Sequence, residues 1–189
     1  KHLENDMVAE SRHTEIVIGN SVESIAQGTF AGLSNLRTFK GKYASEDGRC
    51  LIADGSLLAF APAGLTEFSI PEGVTSIGGF TFSGCRNLNN ITIPDSVTEI
   101  GWRAFCYCTG LTTITIPHGV KELGNAAFGG CSNLTEVNIP NSVTTIGIYL
   151  FENCTSLTSV TFPESVTTIE NDPFFGCSAL TSIRCLAPE

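Results

Sequence analysis

The sequence predicts a solenoid, a fold in which short repeated coils stack on one another. Three observations predict it. A 23-residue period runs through most of the 189-residue chain, apolar residues occupy the same columns in every period, and each period contains a strand-like alternation that ends at proline. A repeat of this length cannot enclose a core by itself, so successive repeats must share one.

The first element of each repeat is a strand. The pattern L-x-x-I-x-I-P alternates apolar and free positions, which is typical of a half-buried strand, and the proline ends it by removing a ladder donor. The proline column is Pro71, Pro94, Pro117, Pro140 and Pro163.

Two further elements complete each repeat. The pattern V-x-x-I-G predicts a second short extended segment, in which the glycine permits a turn that other residues do not enter. The pattern A-F-x-x-C-x-x-L places Phe, Cys and Leu three residues apart, which predicts one face of a 3₁₀ or short helical turn. The phenylalanine column is Phe82, Phe105, Phe128, Phe151 and Phe174.

We interpret residues 1–189 as a single solenoid domain. Residues 1–15 are expected to be a degenerate repeat or cap, 16–39 the first repeat, and 68–186 repeats two to six with the start of a further repeat. That last strand pattern suggests either a longer chain or an unusual cap. The period breaks over residues 40–67, where Asp47-Gly48 and Asp54-Gly55 favour two-residue hairpin turns. We predict a β-hairpin insertion that extends the solenoid, with a binding loop as the alternative.

Five of the eight cysteines share one column, and these are Cys85, Cys108, Cys131, Cys154 and Cys177. In stacked coils their Cα–Cβ vectors are parallel rather than facing, which suits disulfide geometry poorly. We therefore predict a ladder of buried free thiols rather than disulfides.

Cys50 and Cys106 lie outside this column and are expected to be exposed. A metal site needs several convergent donors, and Cys106 next to Cys108 does not supply them, so no metal site is expected.

Charge and composition exclude several functions. A formal charge of −9 and a pI near 4.7 oppose binding to nucleic acid or anionic membranes, and no apolar run is long enough for membrane insertion.

The three histidines are His2 and His13 in the N-terminal segment and His118 in a turn column of short polar residues. We find no catalytic constellation and no cofactor motif, so the sequence does not predict an enzyme.

The whole unit LTTITIPHGVKELGNAAFGGCSN, residues 111–133, recurs across residues 16–186 and resembles the BspA-like, or treponemal-type, leucine-rich repeat family. The resemblance implies a leucine-rich-repeat solenoid, a right-handed β/α superhelix with a parallel β-sheet on its concave side and short extended and 3₁₀ or helical turns outside. Members are mostly surface or secreted proteins implicated in adhesion, so the resemblance also implies an extracellular or cell-surface location. It brings no catalytic residues.

Two files of outward-facing strand residues are the candidate ligand-binding positions on the concave side. The first file is Glu67, Asn90, Thr113, Glu136 and Ser159, and the second is Ser69, Thr92, Thr115, Asn138 and Thr161. The strand preference of threonine explains them without any ligand. A rigid, pre-organised docking surface explains them equally well.

Trp102, Tyr107 and Tyr149 are large residues in variable columns, and they either contact a partner or cover the adjacent coil. The sequence as a whole predicts a monomeric, non-catalytic recognition or adhesion module that binds a protein or extracellular-matrix ligand through the sheet. The alternative is a structural spacer in a longer surface protein, with no ligand of its own.

Overall fold

The computed structural model describes residues 12–186, and within them the regular structure consists of short β-strands joined by turns. In chain order the strands are β1 Glu15–Ile18, β2 Thr38–Gly41, β3 Cys50–Ala53, β4 Ser56–Phe60, β5 Glu67–Ser69, β6 Ser76–Ile77, β7 Asn90–Thr92, β8 Glu99–Ile100, β9 Thr113–Thr115, β10 Glu122–Leu123, β11 Glu136–Asn138, β12 Thr145–Ile146, β13 Ser159–Phe162, β14 Thr168–Ile169 and β15 Ser182–Cys185.

The strands of the I-x-I pattern stack in parallel with a register of one repeat. Glu67 lies opposite Asn90, and Thr113 lies opposite Glu136. The pairs β5–β7, β9–β11 and β13–β15 are hydrogen-bonded, and β7 packs beside β9 as β11 packs beside β13. In the central strands the middle residue is buried and its two neighbours are exposed, which confirms the predicted alternation.

The V-x-x-I segments β6, β8 and β10 pair in parallel within a second sheet of order β10-β8-β6-β4-β3, and β12 pairs in parallel with β14. Each of these strands from β6 onward is only two residues long. The predicted second extended segment is therefore confirmed from β6 onward, whereas residues 22–25 of the first repeat form no strand.

The predicted 3₁₀ or helical turns are not confirmed, because none of residues 12–186 is helical. The amide of Cys106 bonds within its coil to the carbonyl of Arg103 at 3.1 Å, but the amide of Phe105 bonds to Ala127 of the next coil at 2.8 Å. Every second amide thus bonds to a carbonyl of the next coil, whereas in a 3₁₀ helix consecutive amides bond within the same segment. Arg103 and Tyr107 also have φ values of 52° and 58°, outside the right-handed helical region.

Positive φ recurs in two columns four residues apart. One column is Phe80, Arg103, Ala126, Tyr149 and Asp172, and the other is Gly84, Tyr107, Gly130, Asn153 and Gly176. The glycines of the V-x-x-I-G pattern serve a different purpose from the one predicted. A Cβ on Gly124 would lie 2.4 Å from the backbone nitrogen of Trp102, so glycine is needed there because two backbones approach closely.

The phenylalanine column forms a stack through the core. Ring centroids are 5.1 Å apart between Phe82 and Phe105 and 5.6 Å apart between Phe105 and Phe128, with interplanar angles of 3° and 7°. The stack continues through Phe151 to Phe174. Each coil therefore buries its ring against the rings of its neighbours, as a shared core requires.

The insertion contains the predicted hairpin, because β3 and β4 are antiparallel and Asp54 and Gly55 have φ values of 49° and 76°. β4 then pairs in parallel with β6, so the hairpin extends the second sheet. The dipeptide Asp47-Gly48 does not make the two-residue turn that we predicted. It lies in a longer loop closed by Ser45 N and Cys50 O at 2.8 Å.

The coil that holds this insertion begins at β2, whose Thr38 pairs with Glu15 one period earlier. Among the described strands β2 pairs with β1 and not with β5. The buried residues form one cluster over Ile18–Ala61 and a second over Cys50–Phe162. The degenerate repeat or cap predicted for residues 1–15 lies mostly outside the described residues.

Candidate functional site

The two files of outward-facing residues form one exposed surface along β5, β7, β9, β11 and β13, which we call the sheet face. All ten candidate residues are exposed: Glu67, Ser69, Asn90, Thr92, Thr113, Thr115, Glu136, Asn138, Ser159 and Thr161. The residues between them, such as Ile91, Ile114 and Val137, are buried beneath. The strand alternation alone therefore brings the predicted positions together on one side.

A shallow groove of about 470 Å³ lies on the C-terminal half of the sheet face. Its polar lining comes from Thr113, Thr115, Glu136, Asn138, Asn141, Ser159 and Thr161, and its apolar lining includes Pro163 and Leu186. Sequence reasoning missed Asn141 and Pro163, which follow the strands by a few residues. The signal was available, because Asn141 occupies the exposed position directly after the repeated proline.

One border of the sheet face is stiffened by hydrogen bonds between coils. Thr135 Oγ1 donates to the carbonyl of Thr112 at 3.1 Å, and Thr181 Oγ1 donates to Thr158 at 3.2 Å. These bonds supplement the backbone ladder, since Thr135 N also bonds to Thr112 O at 2.9 Å. The surface is consequently held in one arrangement before any ligand arrives.

Trp102, Tyr107 and Tyr149 lie on the turn segments, not on the sheet face. They are 51%, 51% and 39% exposed. The Trp102 ring packs edge-on against Phe80 at 4.8 Å, and the Arg103 guanidinium lies 5.4 Å from it.

Tyr149 lies edge-on to Phe175 of the following coil at 6.3 Å. Both Trp102 and Tyr149 therefore contact an aromatic ring of an adjacent coil, as the packing interpretation expects, while keeping part of their surface in solvent.

The column cysteines are free thiols, as predicted, and Cys85, Cys108, Cys131 and Cys154 are buried. Burial raises the pKa of Cys85 and of Cys131 to about 12. Desolvation disfavours the thiolate, which is the nucleophilic and metal-binding form. This ladder is therefore structural rather than reactive.

Two predictions about exposed thiols are wrong. Cys50, the first residue of β3 in the insertion hairpin, is fully buried in the main core cluster, and burial, followed by the charge of Asp47, raises its pKa. Cys106 is 4% exposed, and the position a Cβ would take on Gly129 lies 3.6 Å from its sulfur. Cys185, on β15, is the exposed cysteine instead.

We find no group of three or more His, Cys, Asp and Glu side chains placed to hold a metal ion in the part of the chain that the structure describes. His118 is exposed after Pro117, as its turn column predicts. Over residues 12–186 no helix is long and apolar enough to cross a bilayer.

Comparison with family models matches a BspA type leucine rich repeat region in six copies over residues 1–45 and 57–181. The chain belongs to this family. The unmatched residues 46–56 fall within the predicted insertion and contain β3. A comparison with curated proteins found no match.

Several solved structures are similar to this chain. A leucine rich cell surface protein from Faecalibacterium prausnitzii is 29% identical over 93% of the chain, with a TM-score of 0.84. A leucine-rich repeat protein from Eubacterium ventriosum is 28% identical over 90%, with a TM-score of 0.78. The T. pallidum leucine rich repeat protein is 26% identical over 94% of this chain and 72% of its own, with a TM-score of 0.66. The chain spans 48% of the length of each of the first two.

Proposed function

We propose that this chain is a non-catalytic recognition module of a bacterial cell-surface protein and that it binds a protein or extracellular-matrix ligand through the sheet face. The observation that carries the proposal is the alignment of ten exposed polar side chains over a rigid ladder. Such a surface presents hydrogen-bonding groups without losing much side-chain entropy when a ligand binds. The surface location is supported by the family and by the similar cell-surface protein from F. prausnitzii.

The test compares two triple variants. Thr92→Ala, Thr115→Ala and Glu136→Ala together alter the sheet face. The matched control, Thr145→Ala, Thr168→Ala and Glu122→Ala, removes the same side chains from exposed positions of the second sheet. Binding to a panel of purified extracellular-matrix proteins is measured by surface plasmon resonance, with the melting temperature of each variant measured in parallel.

We expect the sheet-face variant to lose binding while both variants melt within a few degrees of the wild type. Equal binding by the two variants would place the ligand elsewhere. No binding by the wild type to any matrix protein would favour the alternative, a structural spacer. The observation behind that alternative is that the chain spans only about half of the first two similar structures, so other segments can carry the ligand site.

A further inference from the structure

The charged side chains on and beside the sheet face are predominantly acidic. A third file lies beside the strand files, directly after the prolines, and consists of exposed turn residues: Glu72, Asp95, His118, Asn141 and Glu164. Together with Glu67 and Glu136, the three files contain five carboxylates and no lysine or arginine from β5 to β13, and the next residue of the second file is Arg184 on β15, opposite Thr161. The carboxylates come from four of the five coils, all except the coil of Thr113, Thr115 and His118.

Basic residues are sparse throughout this part of the chain. Between residues 50 and 186 there are four Lys and Arg residues, Arg86, Arg103, Lys121 and Arg184, against eleven Asp and Glu residues. Arg86 and Arg103 are on turn segments, and Lys121 precedes the second sheet. These three are separated in their repeats from the strands of the sheet face, whereas Arg184 lies on β15, which pairs with β13 at the C-terminal end of that face.

The sheet-face carboxylates are unpaired. Within residues 12–186 the ion pair that the structure contains joins Lys40 to Glu15 at 2.6 Å, on β2 and β1. Glu67 and Glu136 have no basic side chain within 4.0 Å among the same residues. Their charges are therefore directed to solvent, and they attract cations to the surface formed by β5 to β13.

The spacing of these two carboxylates suggests how a ligand would lie. Glu67 and Glu136 share one file and are three coils apart, which is about 14 Å at about 4.8 Å per coil. An extended peptide advances about 3.4 Å per residue, so side chains four residues apart span the same distance. One of the two cationic side chains would bind in the groove that Glu136 lines.

We propose that the partner of the sheet face is a basic polypeptide segment, bound in an extended form along the solenoid axis with Lys or Arg residues about four positions apart. This inference rests on the proposed function and specifies the chemistry of its ligand. The hydroxyl and amide groups of Thr92, Thr115 and Asn138 supply hydrogen bonds between the two charged contacts. Rim charges of this kind act mainly on encounter rate and specificity, and their effect falls with salt.

The experiment uses three ten-residue peptides of Ser, Thr and Gly, with lysines at positions 3 and 7, glutamates at positions 3 and 7, or lysines at positions 5 and 6. Apparent Kd values are obtained from amide chemical-shift changes in the whole chain. The proteins are the wild type, Glu67→Gln, Glu136→Gln and the matched control Glu122→Gln, which removes an equal charge from the second sheet.

We expect the peptide with lysines at 3 and 7 to bind best and to shift amides of β5 to β13. Each sheet-face substitution should weaken it about two- to five-fold, the scale of an exposed ion pair, and Glu122→Gln should not. Binding should also weaken as NaCl rises from 50 to 300 mM. Equal effects of Glu136→Gln and Glu122→Gln, or equal binding of the glutamate peptide, would overturn the inference.

The two proposals fail differently. If a matrix protein binds through the sheet face but is insensitive to salt and to Glu136→Gln, the function stands and the basic partner is wrong. If the lysine peptide binds at the sheet face while no matrix protein does, the surface chemistry stands and the matrix ligand is wrong.

Discussion

The sulfur of Cys108 lies 3.0 Å from the backbone carbonyl oxygen of Phe82 in the preceding coil, and its thiol donates to that oxygen. The same bond recurs from Cys131 to Phe105 and from Cys154 to Phe128, each at 3.2 Å. A repeated cysteine thus gives a second hydrogen bond to a buried carbonyl that already accepts from a backbone amide, and it packs like a small apolar side chain. Hydrogen bonds therefore connect the cysteine column to the phenylalanine column, in addition to their packing contacts.

Removing one of these thiols should destabilise the fold. Cys131→Ala removes the second donor to the Phe105 carbonyl, which keeps its bond from the Cys108 amide, and creates a small void, at a cost of about 1–2 kcal/mol in the free energy of unfolding. Urea denaturation under reducing conditions measures the difference. Cys185→Ala, at an exposed position, should change stability by less than about 0.5 kcal/mol. Equal losses in the two variants would mean that the ladder thiols contribute nothing specific.

Alkaline pH should reduce this contribution. The pKa of Cys131 is about 12 in the folded chain, against 9.0 as its ordinary value. The unfolded state therefore loses the proton first, and the stability contribution is complete below about pH 9 and declines from there towards about pH 12. The cost of Cys131→Ala, measured by urea denaturation at pH 7 and pH 10, should consequently be smaller at pH 10. A cost that grows with pH would contradict a buried neutral thiol.

Native thiol accessibility should follow the burial of each cysteine. At pH 8 a disulfide reagent such as dithionitrobenzoate should label Cys185 rapidly, the half-buried Cys177 more slowly, and the six buried cysteines only after unfolding. Absorbance at 412 nm counts the released thiolate against time. The variant Cys185→Ser should lack the fast phase. A second fast phase in that variant would show that Cys50 or Cys106 is open to solvent after all.

The same Ile→Ser substitution should lower the free energy of unfolding more in a central coil than in the last coil. Ile146 and Ile169 share a column, but Ile146 is fully buried and Ile169 is 49% exposed in the last coil. Ile146→Ser should cost about 3–4 kcal/mol through lost burial and an added buried hydroxyl, and Ile169→Ser about 1 kcal/mol or less. Thermal and urea unfolding measure both. Similar costs would mean that the last coil is covered in solution.

Gly84 and Gly130 form a matched pair, because both lie in the second of the two positive-φ columns. Gly84 and Gly130 have φ values of 75° and 72°, so alanine at either position should cost about 1–2 kcal/mol. A Cβ on Gly130 would also lie 2.4 Å from Cδ1 of Tyr107, whereas the nearest atom to one on Gly84 is 3.9 Å away. Gly130→Ala should therefore be the more destabilising by urea denaturation. Adding Tyr107→Gly should remove that difference, and its persistence would locate the strain in the backbone alone.

The sequence by itself determined the repeat, the strands and their outward files, and the ladder of free thiols. Each of these depends on local periodicity, because alternation along a strand assigns Ile114 inward and Thr113 outward whatever the neighbouring coils do. The hairpin at Asp54-Gly55 was predictable for the same reason, since its backbone conformation is a property of two adjacent residues.

The features that depend on contact between coils were decided only by the tertiary structure. Arg103, Phe105 and Tyr107 send their amides to the next coil, so the local helical pattern is not realised. Cys106 is buried beside Gly129 of the following repeat, and Cys50 is buried because the insertion hairpin packs it into the main core cluster. Such outcomes depend on pairs of residues about 22 or more positions apart, and a single repeat contains only one member of each pair.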